Sequence, residues 1–227
     1  MKRRDLNNLL ATMRKMDYVI YDEPYRLNIV GVRNAESQPN KFDDSIYVFY
    51  KDESGQWQFK DYPATTDAGT YWLLNPMSNL GTAMLKEGQY VDSYKQGLHK
   101  GQYKALVQNA PVTTYRDYDR NAIFDITTSE STGNYGINIH KAGADSQDVN
   151  KWSAGCQVFQ KSDDFAEFIN LTDKHKELYD NKFTYTLIDE RAVVRRGRRF
   201  LLYGGLFATL SAIGITAFVL IKRRMNK

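Results

Sequence analysis

The sequence predicts a mainly β domain with one docked helix, followed by a single C-terminal membrane-spanning helix. Three observations carry this expectation. Aromatic residues make up 13% of the 227, with 16 tyrosines, and aromatics favour strands. Short alternating or apolar runs recur between turn signals from residue 25 to residue 188. Residues 200–221 (FLLYGGLFATLSAIGITAFVLI) run for 22 positions without a charge. The balance of 42% hydrophobic and 26% charged residues excludes wholesale disorder. A lone cysteine excludes an intrachain disulfide, and with three histidines it leaves too few soft ligands for a Cys-rich zinc site.

Residues 1–24 begin with basic side chains but contain no apolar core of a secretory signal. They read as a short amphipathic helix with Leu6, Leu9, Leu10 and Met13 on one face. Residues 25–32 (YRLNIVGV) and 45–50 (SIYVFY) are strand candidates. The adjacent acids Asp43 and Asp44 read as a turn ahead of the second. DESG at 52–55 is a turn signal and WQF at 57–59 returns, which makes a β-hairpin. Further strands are expected at 103–108, 112–115, 135–140 and 184–188. The one convincing helix covers 162–179, with Ser162 as N-cap and Phe165, Phe168, Ile169 and Leu171 on its apolar face. There is no internal repeat, low-complexity tract or Pro/Gly linker. The expected organisation is an N-terminal segment 1–24, one domain 25–190, a basic juxtamembrane segment 191–199, a span 200–221 and a basic tail 222–227.

Charge is divided between these parts. Residues 191–227 hold nine of the 31 Lys and Arg and none of the 27 acids, so residues 1–190 carry a net −5. An acidic domain repels phosphate backbones, which argues against nucleic acid as a partner. The uncharged run would extend roughly 33 Å as a helix, and a bilayer's hydrocarbon core needs about 30 Å. The expectation is a single-pass membrane protein. Five basic residues precede the span and four follow it, so flanking charge leaves the orientation open. Gly204, Ala208, Ala212 and Thr216 form a stripe of small side chains that permits self-association within the membrane.

The chemistry concentrates in residues 137–159 (INIHKAGADSQDVNKWSAGCQVF). His140 ends an expected strand, a polar loop follows, and Ser153-Ala154-Gly155-Cys156 comes next. A thiol beside a histidine can form a thiolate–imidazolium pair. A glycine before the cysteine lets the backbone approach a carbonyl and turn its N–H groups inward as an oxyanion hole. A lone cysteine is otherwise a small buried hydrophobe. His175 lies in a charged helix end and reads as solvated. His99 sits in a Gly-flanked turn and reads as surface, with a groove position as the alternative. Tyr71, Trp72 and Trp152 suit the walls of a cleft, although core packing is the default for aromatics in strands.

The His140…Ser153-x-Gly155-Cys156 pattern resembles the catalytic signature of the L,D-transpeptidases, the YkuD-like cysteine enzymes. Thr66-Asp67-Ala68-Gly69-Thr70-Tyr71 is similar to a second family element, with Asp67 in place of proline. The resemblance covers about residues 26–188 and extends to divergent phage-type members. It implies a YkuD-like β-sandwich or barrel-like catalytic domain that needs no metal or organic cofactor. Cys156 would be the nucleophile and His140 the general base, oriented by the backbone carbonyl of Lys141. The N–H groups of Gly155 and Cys156 would face the oxyanion, with Ser153, Tyr71 and Trp152 against the substrate. The implied reaction is acyl transfer from peptidoglycan stem peptides through a Cys thioester, to an amine or to water. Ala154 stands where the family has a second histidine, Gln157 where it has an apolar residue, and Val158 where it has Arg or Asn. The alternative is a non-catalytic structural or wall-binding protein, such as a virion component, that retains the fold.

Overall fold

A computed structural model of the protein describes residues 3–125, 129–143 and 146–194. The expected span 200–221, its basic flanks 195–199 and 222–227, and the stripe at Gly204, Ala208, Ala212 and Thr216 lie outside the described residues. Among the described residues no helix is long and apolar enough to cross a membrane. The described residues belong to one compact unit, Met1–Val194.

The alternation near residue 30 produces a strand buried on both faces. In β1 (Asn28–Arg33), Ile29 joins the main core while Val30 and Val32 join a second one. Its neighbours are β2 (Asp44–Lys51), antiparallel, and β11 (Phe183–Asp189), parallel. The expected hairpin is formed by β2 and β3 (Trp57–Thr65), paired from Asp44↔Ala64 to Lys51↔Trp57. With β5 (Gly88–His99), β6 (Tyr103–Gln108), β9 (Ile139–Lys141) and β10 (Gln157–Phe159) these strands close a barrel in the order β1-β11-β5-β6-β9-β10-β3-β2. A separate sheet contains β4 (Thr82–Leu85), β7 (Val112–Asp117) and β8 (Glu130–Gly133) in the order β4-β7-β8. The mainly β expectation therefore holds, as a barrel with a side sheet.

Two helices cover the barrel. Helix α1 (Arg3–Lys15) lays Leu6, Leu9, Leu10 and Met13 on Val30, Val32, Phe49 and Ile188, which seals the outer face of β1, β2 and β11. Val194 N–H donates to Thr12 Oγ1 at 2.8 Å, so the last described residue lies against α1. Helix α3 (Ser162–Leu178) buries Phe165 and Phe168 against Phe159. Its cap position is Lys161, with Ser162 already inside the first turn. A short helix, α2 (Thr70–Leu74), follows the Thr66–Gly69 stretch.

Three expectations are corrected. Asp44 is the first residue of β2 and is buried, not part of an exposed turn. His175 is buried, and its Nδ1 accepts from Leu27 N–H at 3.1 Å while its ring packs on Phe183. Burial pulls its pKa down to about 4. The strand expected over 135–140 shrinks to Ile139–Lys141, because side chains take the backbone donors a ladder needs. Tyr135 and Ile137 N–H both donate to Gln108 Oε1, and Asn138 N–H donates to Cys156 Sγ.

Candidate functional site

The site is set by the parallel pairing of β9 and β10. Gln157 lies opposite Ile139 and Val158 opposite His140, so Cys156 precedes one strand and His140 sits within the other. One strand spacing of about 4.8 Å and two residues at about 3.3 Å put their Cα atoms roughly 8 Å apart. The pairing therefore places Cys156, just ahead of β10, near His140 on β9.

His140 is oriented as the resemblance implies. Its Nδ1 lies 2.9 Å from Lys141 O and donates to it, which leaves Nε2 as the lone-pair nitrogen. Nε2 is buried and has no hydrogen-bond partner among the described residues. Tyr103 hydroxyl also reaches Lys141 O, at 3.4 Å. Burial, and then the neighbouring His99, lower the His140 pKa to about 3, so the ring is a neutral base at rest.

Cys156 is half-buried and takes a hydrogen bond from Asn138 N–H at 3.4 Å. Its thiol points at Gly136 O, 3.5 Å away. No hydrogen bond joins it to His140. Burial pushes the thiol pKa up, with the Asn138 N–H as a weaker opposing effect. The resting pair is therefore a thiol and a neutral imidazole, where the sequence led us to expect thiolate and imidazolium. This is compatible with general-base chemistry, because such contacts often tighten only when substrate binds.

The turn holding Cys156 is built by Ser153 and Gly155. Ser153 Oγ accepts from Gly155 N–H at 3.1 Å and donates to Cys156 O at 2.8 Å. Ser153 is fully buried, so it supports the turn and cannot contact substrate directly. Gly155 N–H is committed to that turn. Cys156 N–H has no partner among the described residues, which makes it the free member of the expected oxyanion pair. Gly155 adopts φ +114°, and a Cβ there would lie 2.2 Å from Ala83 O. Only glycine allows this backbone.

The second motif packs directly on this turn. Gly69 N–H donates to Ser153 O at 2.9 Å, and a Cβ at Gly69 would meet Asn150 O at 2.0 Å. The two stretches singled out in the sequence, 66–71 and 153–156, are therefore one structural unit. Arg33 anchors it from below. Its Nε donates to Thr66 Oγ1 and Asp67 Oδ1, both at 3.0 Å, its Nη2 to Leu85 O, and its Nη1 to Glu87. Asp44 Oδ2 accepts from Thr66 N–H and Oγ1–H at 2.7 Å. Burial, reinforced by Asp67, pushes the Asp44 carboxyl up to about 7.

Tyr71 and Trp152 are exposed, at 38% and 44%, and not packed in the core. Beside Ala154 lies a cavity of about 250 Å³ lined by Trp72, Leu80, Ala83, Arg116, Tyr135 and Ile137. Gln157 faces inward, bonded to Tyr185 hydroxyl at 2.8 Å and to Gly155 O at 3.4 Å. Its polarity is thus satisfied within the barrel and braces the cysteine turn.

Sequence reasoning missed His99 and Asn138. His99 is the last residue of β5 and is buried, contrary to the surface reading. Its ring stacks on His140 with centroids 4.0 Å apart. Asn138 Nδ2 lies 3.1 Å from His99 Nδ1. The Gly-flanked turn did place His99 beside a possible groove, but nothing in the sequence pairs 99 with 140.

No protein-family model matches this sequence, no curated protein matches it, and no solved structure matches it.

Proposed function

We propose that the protein is a membrane-anchored cysteine acyltransferase or peptidase of L,D-transpeptidase type, acting on peptidoglycan stem peptides. The single observation that carries this reading is the arrangement of His140. Its Nδ1 is held by the Lys141 carbonyl and its Nε2 is unpartnered among the described residues, on the strand beside the Cys156 turn.

In this reading Cys156 attacks the carbonyl of an L,D-peptide bond while His140 Nε2 takes the thiol proton. The S–H bond breaks and an S–C bond forms. Cys156 N–H stabilises the oxyanion. The intermediate collapses, His140 returns the proton to the departing amine of the D-residue, and a thioester remains. An amine acceptor gives a cross-link, and water gives hydrolysis. Tyr71 and Trp152 form the rim of the cleft. Residues 200–221 supply the membrane anchor, and the wall side is the working side.

The test uses the full chain and tetrapeptide stems. Wild type is expected to show an acyl-enzyme mass and released D-amino acid, and Cys156→Ala neither. No adduct and no release from wild type would reject the reading.

The second reading is a structural or wall-binding protein, such as a virion component, that has kept the fold without the chemistry. The raised thiol pKa and the Ser153–Gly155 bond inside the would-be oxyanion hole favour it. Iodoacetamide separates the two. A His140-assisted thiol reacts faster than its His140→Gln counterpart at neutral pH, whereas a structural cysteine is indifferent to that change.

A further inference from the structure

The imidazole expected to act as base is stacked on a second one that the proposed chemistry does not use. His99 and His140 lie 4.0 Å apart at 25° between planes. The orientation of Asn138 fixes the state of His99. Asn138 Oδ1 accepts from Gln108 N–H at 3.0 Å, so its Nδ2 is the atom facing His99 Nδ1 at 3.1 Å. His99 Nδ1 must then accept, and the neutral ring carries its proton on Nε2. The same Asn138 gives its backbone N–H to Cys156 Sγ and its carbonyl to Gln157 N–H.

Among the described residues, the other groups around the two rings bring no negative charge to help His140. Lys100 follows His99 in the chain and disfavours protonation of both rings. Tyr103 approaches from β6, 5.6 Å from the His99 ring, with its hydroxyl 3.4 Å from His140 Nδ1. Lys141 on β9 lies over the Tyr103 ring. The Nδ1 partner of His140 is a carbonyl, not a carboxylate. An imidazolium formed at His140 therefore depends on dipoles and on the face of its stacking partner. A neutral aromatic face attracts a cation, and a charged one repels it.

We propose that His99 is a positioning residue of this site: Asn138 holds it neutral, so that its ring stacks on His140 and supports the charge His140 acquires from the Cys156 thiol. This rests on the thiol–imidazole reading above. In the step, the thiol proton moves to His140 Nε2, the S–H electron pair stays on sulfur, and His99 neither gains nor loses a proton.

The experiment compares full-length wild type, His140→Gln, His99→Phe and His99→Lys. The readout is the pH dependence of iodoacetamide alkylation at Cys156. His99→Phe keeps a neutral ring and is expected to stay within about threefold of wild type at pH 7, with its acidic limb moved to lower pH. His99→Lys places a fixed cation there and is expected to slow alkylation by about tenfold or more. A His99→Lys rate equal to wild type, or a His99→Phe rate as slow as His99→Lys, overturns the proposal alone. A wild-type rate no faster than His140→Gln overturns the thiol–imidazole reading and this proposal with it. A second measurement needs no variant. With only three histidines, selective nitrogen labelling and NMR should show His99 protonated on Nε2 and His140 on Nδ1. A proton on His99 Nδ1 at neutral pH overturns the proposal whatever the variants do.

Discussion

Gly155→Ala is the most severe single change near Cys156. The residue adopts a positive φ that L side chains rarely take, and the new methyl would press on the carbonyl of Ala83. We expect loss of Cys156 reactivity together with about 2 kcal/mol or more of stability. Denaturant unfolding and alkylation rates on the same sample check both, and a variant unchanged in either contradicts the stated geometry. Gln157→Leu fails differently. It strips Tyr185 hydroxyl and Gly155 O of a buried partner. The cost should be about 1–3 kcal/mol in unfolding free energy. A neutral or stabilising result would mean that the amide does not brace the turn. At this scale the sequence was informative about Cys156, His140, Gly155 and Gly69, because their spacing carries the motif. It was silent about Asn138 and about the pairing of His99 with His140, because these contacts join residues 18 and 39 or more positions apart.

Arg33 links several elements. From the end of β1 it reaches Asp67, Glu87, Thr66 O and Leu85 O, and so ties the 66–71 stretch to the strands beneath. Both Arg33 and Asp67 are buried, so Arg33→Met leaves carboxylates without their cation. The expected loss is about 3–5 kcal/mol, read by chemical denaturation, and a loss under about 1 kcal/mol would show that the carboxyls neutralise instead. Legibility varied by element for physical reasons. Strands with alternation, such as β2, or with a continuous apolar run, such as β6, were visible. β5 was not, because QYVDSYKQGLH is largely polar, Asp92 takes φ +51° and the pairing with β11 shifts register. β4, β8 and β10, at three or four residues, are too short to show a period. The N-terminal helix was legible as amphipathic, but its partner surface on β1, β2 and β11 was not, since those strands also fill the barrel with their other face.

For the whole unit, two of the three buried histidines, His140 and His175, dominate the response to acid. His140 at about 3 and His175 at about 4 both fall below the ordinary 6.5. Between 6.5 and those values the unfolded chain binds more protons than the folded one. Stability therefore falls as pH drops from about 6.5 toward 4, by about 1.4 kcal/mol per unit for each group. Asp44 acts in the opposite sense. Its raised pKa favours the folded state below about 4, and this contribution is lost as pH rises through about 7. His175→Asn retains an acceptor for Leu27 N–H without a titrating ring. Thermal unfolding across pH 4–7 should show a shallower acid slope for this variant, and an unchanged slope would remove His175 from the account.

The barrel is sealed where its earliest strand meets its latest, β1 beside β11. A ribosome must therefore deliver residue 189 before the seam can zip. Until then the other seven barrel strands wait as an open, tyrosine-rich sheet with two bare edges, a state in which long-range pairing is slow and self-association competes. Chains arrested before residue 183 should cling to chaperones or precipitate, whereas chains carried a few residues further should be released and resist protease.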